Sequence, residues 1–260
     1  MALDQVEVMR QLGFETFALI GHDRGGRVGH RMALDHPSRI TRLAVLDIVP
    51  TYYLYTHVTL PFVQAYYHWF SYLRPTPVPE NELKATIERV APKMTSDVQL
   101  EYLRVRRDPG NIHGMCEDYR AGASVDIEHD RSDLGNRIAC PVLALWGAKA
   151  PMGRLYDVLS VWKDHAVNVT GRSLPAGHNL QEDAPDVPRA LINIVDPEFG
   201  FDPEDATYFV GRETIINRSR GVDRARSALY GAMHRNASSA VQYFSLPPSQ
   251  VIEIGKQVAL

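Results

Sequence analysis

The chain has 260 residues, 45% hydrophobic and 23% charged, with a formal net charge of -3 and a pI near 6.4. That composition excludes a disordered or collagen-like chain and gives no general attraction to nucleic acid or anionic lipid. No apolar run approaches the roughly 18 residues of a membrane-spanning helix. The opening Met1-Ala2-Leu3-Asp4-Gln5 lacks a basic segment followed by an apolar one, and Cys116 and Cys140 have no metal-ligand spacing. The expectation is a cytoplasmic protein with reduced thiols.

Gln5 to Leu12 carries apolar residues at helical period, and Gly13 is a helix stop. Phe17-Ala18-Leu19-Ile20, bounded by Gly21, reads as a buried strand, and Arg24 to His36 as a helix carrying Val28, Met32 and Leu34, closed by Pro37. Leu43 to Ile48 reads as a second buried strand that turns at Pro50. Thr51 to about Asp130 is rich in aromatics and helical periods, is broken at Arg74-Pro75-Thr76-Pro77-Val78-Pro79, and restarts as a helix at Glu80. An insertion of that size between neighbouring strands predicts a helical cap over the carboxyl edge of a sheet. Val142 to Trp146 is a further strand, after Pro141 and before Gly147. Strands alternating with helices give an α/β class with a parallel sheet.

After Asp196-Pro197 the pattern changes: residues 198–260 hold seven basic and seven acidic side chains and are neutral. Arg218 to Phe244 reads as one or two helices, and Val251 to Ile254 as a short apolar strand. The expected organisation is a core from residues 1–50 and 131–197, a cap over 51–130, and a small α+β segment over 198–260.

The strongest local signal is Gly21-His22-Asp23-Arg24-Gly25-Gly26, lying between a strand and a helix in the pattern Gly-x-nucleophile-x-Gly. A nucleophile on so sharp a turn needs glycine on both sides, and the helix start behind it favours an anion. With Asp23 in that place no base is needed to deprotonate the nucleophile, and its carboxylate can attack an sp3 carbon to form an ester. Asp47 ends the next strand at the same sheet edge. His178, in Pro175-Ala176-Gly177-His178-Asn179-Leu180, completes the chain order nucleophile, acid, histidine. His178 would activate water on the ester and Asp47 would orient it. Arg24 and Arg27 beside the nucleophile suit an anionic substrate, because guanidinium binds carboxylate through paired hydrogen bonds. Arg31 and Arg39 read as a solvated face. On composition alone His68, Trp69 and Tyr119 are cap core residues.

Residues from Phe17 to about Ala190 resemble the haloacetate dehalogenases of the fluoroacetate type, in the α/β-hydrolase superfamily. The resemblance is carried by Gly-His-Asp-Arg-Gly-Gly-Arg at 21–27, Leu-Ala-Val-Leu-Asp-Ile-Val-Pro-Thr at 43–51 and Tyr-His-Trp at 67–69. Met-Cys-Glu-Asp-Tyr-Arg-Ala-Gly-Ala at 115–123, Ala-Leu-Trp-Gly at 144–147 and Gly-His-Asn-Leu at 177–180 extend it. It implies Asp23 as nucleophile, Asp47 and His178 as its partners, Arg24 and Arg27 on the substrate carboxylate, and His68, Trp69 and Tyr119 around the departing halide. It implies hydrolysis of a small haloacid to glycolate and halide, with no metal or organic cofactor and no nucleic-acid partner. The family's sheet begins before the nucleophile strand, so the early strands and one oxyanion-hole N–H are expected to be missing. The Arg24 N–H is the remaining candidate donor, and a homodimer through the exposed sheet edge is an expectation that follows.

Tyr208 to Thr214, Arg235-Asn236-Ala237 and Leu246 to Gly255 resemble the cytoplasmic C-terminus of KUP-type potassium uptake permeases. A fusion of two truncated pieces is one reading of the whole. Two alternatives stay open: an epoxide hydrolase using cap tyrosines among Tyr66, Tyr67 and Tyr119, and a catalytically inactive fusion carrying a transporter-derived tail.

Overall fold

The computed structural model describes residues 1–184, 208–216 and 251–259. The chain divides into two compact units, Met1–Ala184 and Pro185–Leu260, where the sequence had suggested a boundary near residue 197. Among the described residues, no helix is long and apolar enough to cross a membrane.

The first unit begins with α1 (Ala2–Gln11), β1 (Phe17–His22), α2 (Arg24–Asp35) and β2 (Ile40–Leu46). Seven helices follow: α3 (Thr51–Thr56), α4 (Leu60–Ala65), α5 (His68–Ser71), α6 (Val78–Val90), α7 (Asp97–Arg107), α8 (Pro109–Gly122) and α9 (Val125–Ser132). The unit closes with β3 (Val142–Gly147), α10 (Met152–Leu155), α11 (Val158–His165), β4 (Val169–Leu174) and α12 (Leu180–Asp183). The four strands form one parallel sheet in the order β1-β2-β3-β4.

The register decides where chemistry collects. His22 pairs with Leu46, and Leu46 with Leu145, so β1 and β2 end level with one another while β3 runs on to Gly147. The residues that leave β1 and β2, Asp23 and Asp47, therefore emerge side by side at the carboxyl edge. β2 and β3 are almost continuously buried apolar runs, as central parallel strands must be. β1 is not the buried strand that its composition suggested. Its burial alternates, Ile20 is 44% exposed, and among the described residues it pairs with β2 alone, as an edge strand.

The cap is helical, as expected, and its middle helix starts two residues earlier than the sequence suggests. α6 begins at Val78 rather than Glu80, because Pro79 sits in its first turn, where a missing N–H costs nothing. A capping box at Ser96 starts α7 and the Asp108 carboxylate starts α8. Ile87, Leu103 and Ile112 give α6, α7 and α8 a small core of their own. Cap and sheet layer are joined through Arg31, which is not on a solvated face. It pairs with Asp35, with Asp133 at 2.5 Å and with the buried Asp130 at 3.4 Å, while Asp130 also accepts the Tyr52 N–H. Arg39 likewise pairs with Glu15.

In the second unit β5 (Tyr208–Ile216) and β6 (Val251–Ala259) pair in parallel over nine positions, from Tyr208 opposite Val251 to Ile216 opposite Ala259. β6 extends the strand expected over 251–254, and β5 was not expected as a strand. The helices expected between 218 and 244 lie outside the described residues.

Candidate active site

Asp23 sits between β1 and α2 with φ 47°, a left-handed conformation that is strained for a residue with a side chain. The strain is held from both sides. The Asp23 N–H donates to Leu46 O at 3.3 Å, and its carbonyl accepts from Gly26 and Arg27 at 3.0 and 3.2 Å, the first bonds of α2. A Cβ on Gly21 would lie 2.6 Å from Gly25 O, and one on Gly26 would lie 2.8 Å from Gly21 O. At Gly25 a Cβ would meet nothing within 4 Å. The steric demand therefore falls on Gly21 and Gly26, not on the Gly21 and Gly25 of the linear motif.

Asp47 leaves β2 with φ 53° and is fully buried. Its Oδ1 accepts the Gly147 N–H at 3.0 Å, and its Oδ2 accepts His178 Nδ1–H at 2.6 Å. Gly147 has no room for a side chain, since a Cβ there would stand 2.1 Å from Gly177 O. That close approach brings the loop after β4 against the end of β3. His22 Nε2–H secures the same loop by donating to His178 O at 2.8 Å, a role its place in the motif did not suggest. The other face of His178 is turned to the sharp strand-to-helix turn at Asp23, an elbow between β1 and α2, with Nε2 3.6 Å from Asp23 Oδ2.

Burial opposes the charge of both groups, and their mutual attraction outweighs it. Asp23 is held at about 2 by His178 and the Arg27 charge, and His178 is lifted to about 9 by Asp23 and Asp47. At neutral pH the elbow holds a carboxylate and an imidazolium.

The arginines lie one helical turn apart at the start of α2. Arg24 Nε donates to Asp118 Oδ2 and its Nη2 donates to Asp118 O at 2.9 Å, while Nη1 is buried without a partner. Arg27 Nη1 donates to Val49 O at 3.0 Å and Thr51 Oγ1 at 3.3 Å, which leaves Nε and Nη2 buried and unpartnered. Burial, then the nearby Arg24 charge, pushes Arg27 down to about 10, so it stays charged at neutral pH. Buried donors on a charged group are costly to leave unpaired, and a carboxylate is the kind of group whose paired oxygens match them.

Trp69 and Tyr119 are buried and His68 is half-buried. Their rings form one cluster, Tyr119 lying 5.4 Å from Trp69 and 5.7 Å from His68 between centroids. The same rings face the arginines: Arg27 Cζ is 4.5 Å from the Trp69 centroid and Arg24 Cζ is 4.8 Å from that of Tyr119. Burial keeps the His68 imidazole from charging and raises the Tyr119 hydroxyl, so both remain neutral donors. Of the cap tyrosines, Tyr67 is 67% exposed, whereas Tyr66 has a buried, unpartnered hydroxyl raised by burial and by Asp47 and Asp23. Tyr55 also buries an unpartnered hydroxyl, under the influence of Arg24 and Arg27.

The alpha/beta hydrolase fold family matches residues 1–185, and the K+ potassium transporter C-terminal domain family matches residues 180–260. Over 198 residues the chain is 43% identical to a fluoroacetate dehalogenase from Burkholderia sp, a match covering 72% of this chain and 65% of that protein's length. A solved structure from Pseudomonas aeruginosa, ascribed to an epoxide hydrolase, is 38% identical with a TM-score of 0.68, over 77% of this chain and 72% of that one. At the other end, 80 residues are 42% identical to the "Probable potassium transport system protein Kup" of Aromatoleum aromaticum, 30% of this chain and 12% of that protein.

Proposed function

The chain belongs to the alpha/beta hydrolase family, and on that footing we propose that it hydrolyses a haloacetate to glycolate and halide. The observation that carries this reading is the set of three unpartnered guanidinium nitrogens, Arg24 Nη1 with Arg27 Nε and Nη2, beside a carboxylate elbow. A neutral epoxide or haloalkane would leave those donors unpaired, whereas a small acid satisfies them.

Asp23 attacks the halogen-bearing carbon through one carboxylate oxygen, that carbon–halogen bond breaks, and the halide leaves with the bonding pair. Trp69, Tyr119 and His68 offer neutral N–H and O–H donors to it. The ester carries no charge on Asp23, so His178 loses one of the two carboxylates that hold its proton. The proton is then held less tightly, a larger fraction of the rings releases it to solvent, and the neutral ring takes another from water. The hydroxide so formed attacks the ester carbonyl, glycolate leaves, and the Asp23 carboxylate returns. The Arg24 N–H at the start of α2 is the donor available to the carbonyl oxygen as charge develops there.

Halide release from fluoroacetate and chloroacetate by the purified chain, with Asp23→Asn as blank, tests this. Release above the blank is expected; none from either acid would overturn the reading in favour of an inactive fusion. A second reading, epoxide opening, is favoured by the buried Tyr66 hydroxyl alone, and turnover of a small neutral epoxide faster than chloroacetate would select it. A homodimer at the β1 edge is read from sedimentation, and a concentration-independent monomer would exclude it.

A further inference from the structure

We propose that Asp118 is the positioning residue of the carboxylate clamp, holding Arg24 by two nitrogens so that the third faces the substrate acid. The inference rests on the haloacid reading of the site and adds the residue on which that reading's specificity depends.

α8 meets the Arg24 guanidinium with three residues of one face, Asp118, Tyr119 and Gly122, at spacings of one and four. The Asp118 carboxylate takes Nε and the Asp118 carbonyl takes Nη2 at 2.9 Å. Tyr119 lies over the cation, its ring centroid 4.8 Å from Cζ. Gly122 supplies the room: a Cβ there would stand 3.1 Å from Nη2 and 3.4 Å from Nη1. A guanidinium fixed on two edges and one face has lost its rotamer freedom before substrate arrives, and Nη1 is its one nitrogen with no partner. The Asp118–Arg24 pair is mostly out of solvent, so it is not a fluctuating surface contact.

Charge and position act in opposite directions here, which makes the role separable. As a negative group, Asp118 repels an incoming carboxylate and partly cancels Arg24. As an anchor, it spares the acid the cost of ordering a long side chain, worth about tenfold in affinity. Asp118→Asn keeps an oxygen acceptor for Nε and removes the charge, whereas Asp118→Ala removes both.

The test is calorimetric titration of the full chain with acetate, which carries the acid and no leaving group, alongside chloroacetate kinetics. Asp118→Ala is expected to bind acetate about tenfold more weakly and to raise KM with little change in kcat, with Asp118→Asn binding at least as tightly as the unaltered chain. Gly122→Ala, which keeps the ion pair and a good helix residue but crowds the guanidinium, is expected to weaken acetate binding too and serves if Asp118→Ala does not fold. Tighter acetate binding in both Asp118 variants would overturn the positioning role, as would acetate binding unchanged in Asp118→Ala and Gly122→Ala. No acetate binding by the unaltered chain would overturn the clamp and this inference with it. The expected acetate pattern without halide release would overturn the dehalogenation and leave the role of Asp118 standing.

Discussion

Replacing Asp23 by asparagine should lower the pKa of His178, because the imidazolium loses one of its two carboxylate neighbours. The groups stand 3.6 Å apart with 34% of each side chain exposed. Two unit charges at that separation attract by about 5 kcal/mol at an effective dielectric of 20 and about 1 kcal/mol in water. With a third of each side chain in solvent the lower part of that range applies, about 1–2 kcal/mol, or roughly one pKa unit. His178 should therefore titrate about a unit below its starting value of about 9 in Asp23→Asn, while the 2.6 Å bond to Asp47 keeps it above 6.5. NMR titration of the His178 ring protons in both proteins measures the difference. An unchanged His178 pKa would refute the reasoning, since ester formation could then not free the base. The same pair makes a signed contribution to stability. The His178 part is fully present below pH 6.5 and fades as pH rises through about 9, and the Asp23 part is present above pH 3.8 and fades as pH falls through about 2. Asp23→Asn should thus flatten the pH dependence of Tm between these limits.

His178→Asn should form the ester and fail to hydrolyse it, leaving a carboxymethyl increment on the Asp23 peptide by mass spectrometry; a multiple-turnover halide signal from this variant would remove His178 as the base. Gly26→Ala should cost about 1–3 kcal/mol by denaturant titration, because its Cβ meets Gly21 O at 2.8 Å, whereas Gly25→Ala should gain up to about 1 kcal/mol as a helix residue with open space around it. Equal effects at the two glycines would contradict the elbow geometry. Trp162→Phe should cost about 1–3 kcal/mol, since the fully buried indole donates to Ile48 O at 2.9 Å and that carbonyl would be left unpaired. A neutral Trp162→Phe substitution would mean that water replaces the indole there.

Much of the site was legible in the linear sequence because it is local. A strand, an aspartate and a helix in immediate succession need no distant partner to be recognised, and Arg24 and Arg27 are one helical turn apart whatever the fold. The parallel sheet and the cap followed from apolar runs that alternate with helical periods. Asp47 and His178 could be named from chain order, but their 2.6 Å bond exists only because β2 and β3 are neighbours and Gly147 lets the histidine loop approach. What the sequence did not disclose depends on pairs far apart in the chain. Arg31 meets Asp130 and Asp133 across the cap junction, and Arg24 meets Asp118, which nothing in the residues around either one announces. The β1 residues read as buried because an apolar run by itself carries no mark of whether a strand has one neighbour or two, yet Ile20 is 44% exposed. The chain by itself determined which groups could do chemistry, since residue type and local backbone suffice for that. Only the tertiary structure decided which of their donors are already engaged and which three guanidinium nitrogens of Arg24 and Arg27 have no partner, because sheet order and cap packing select the partners.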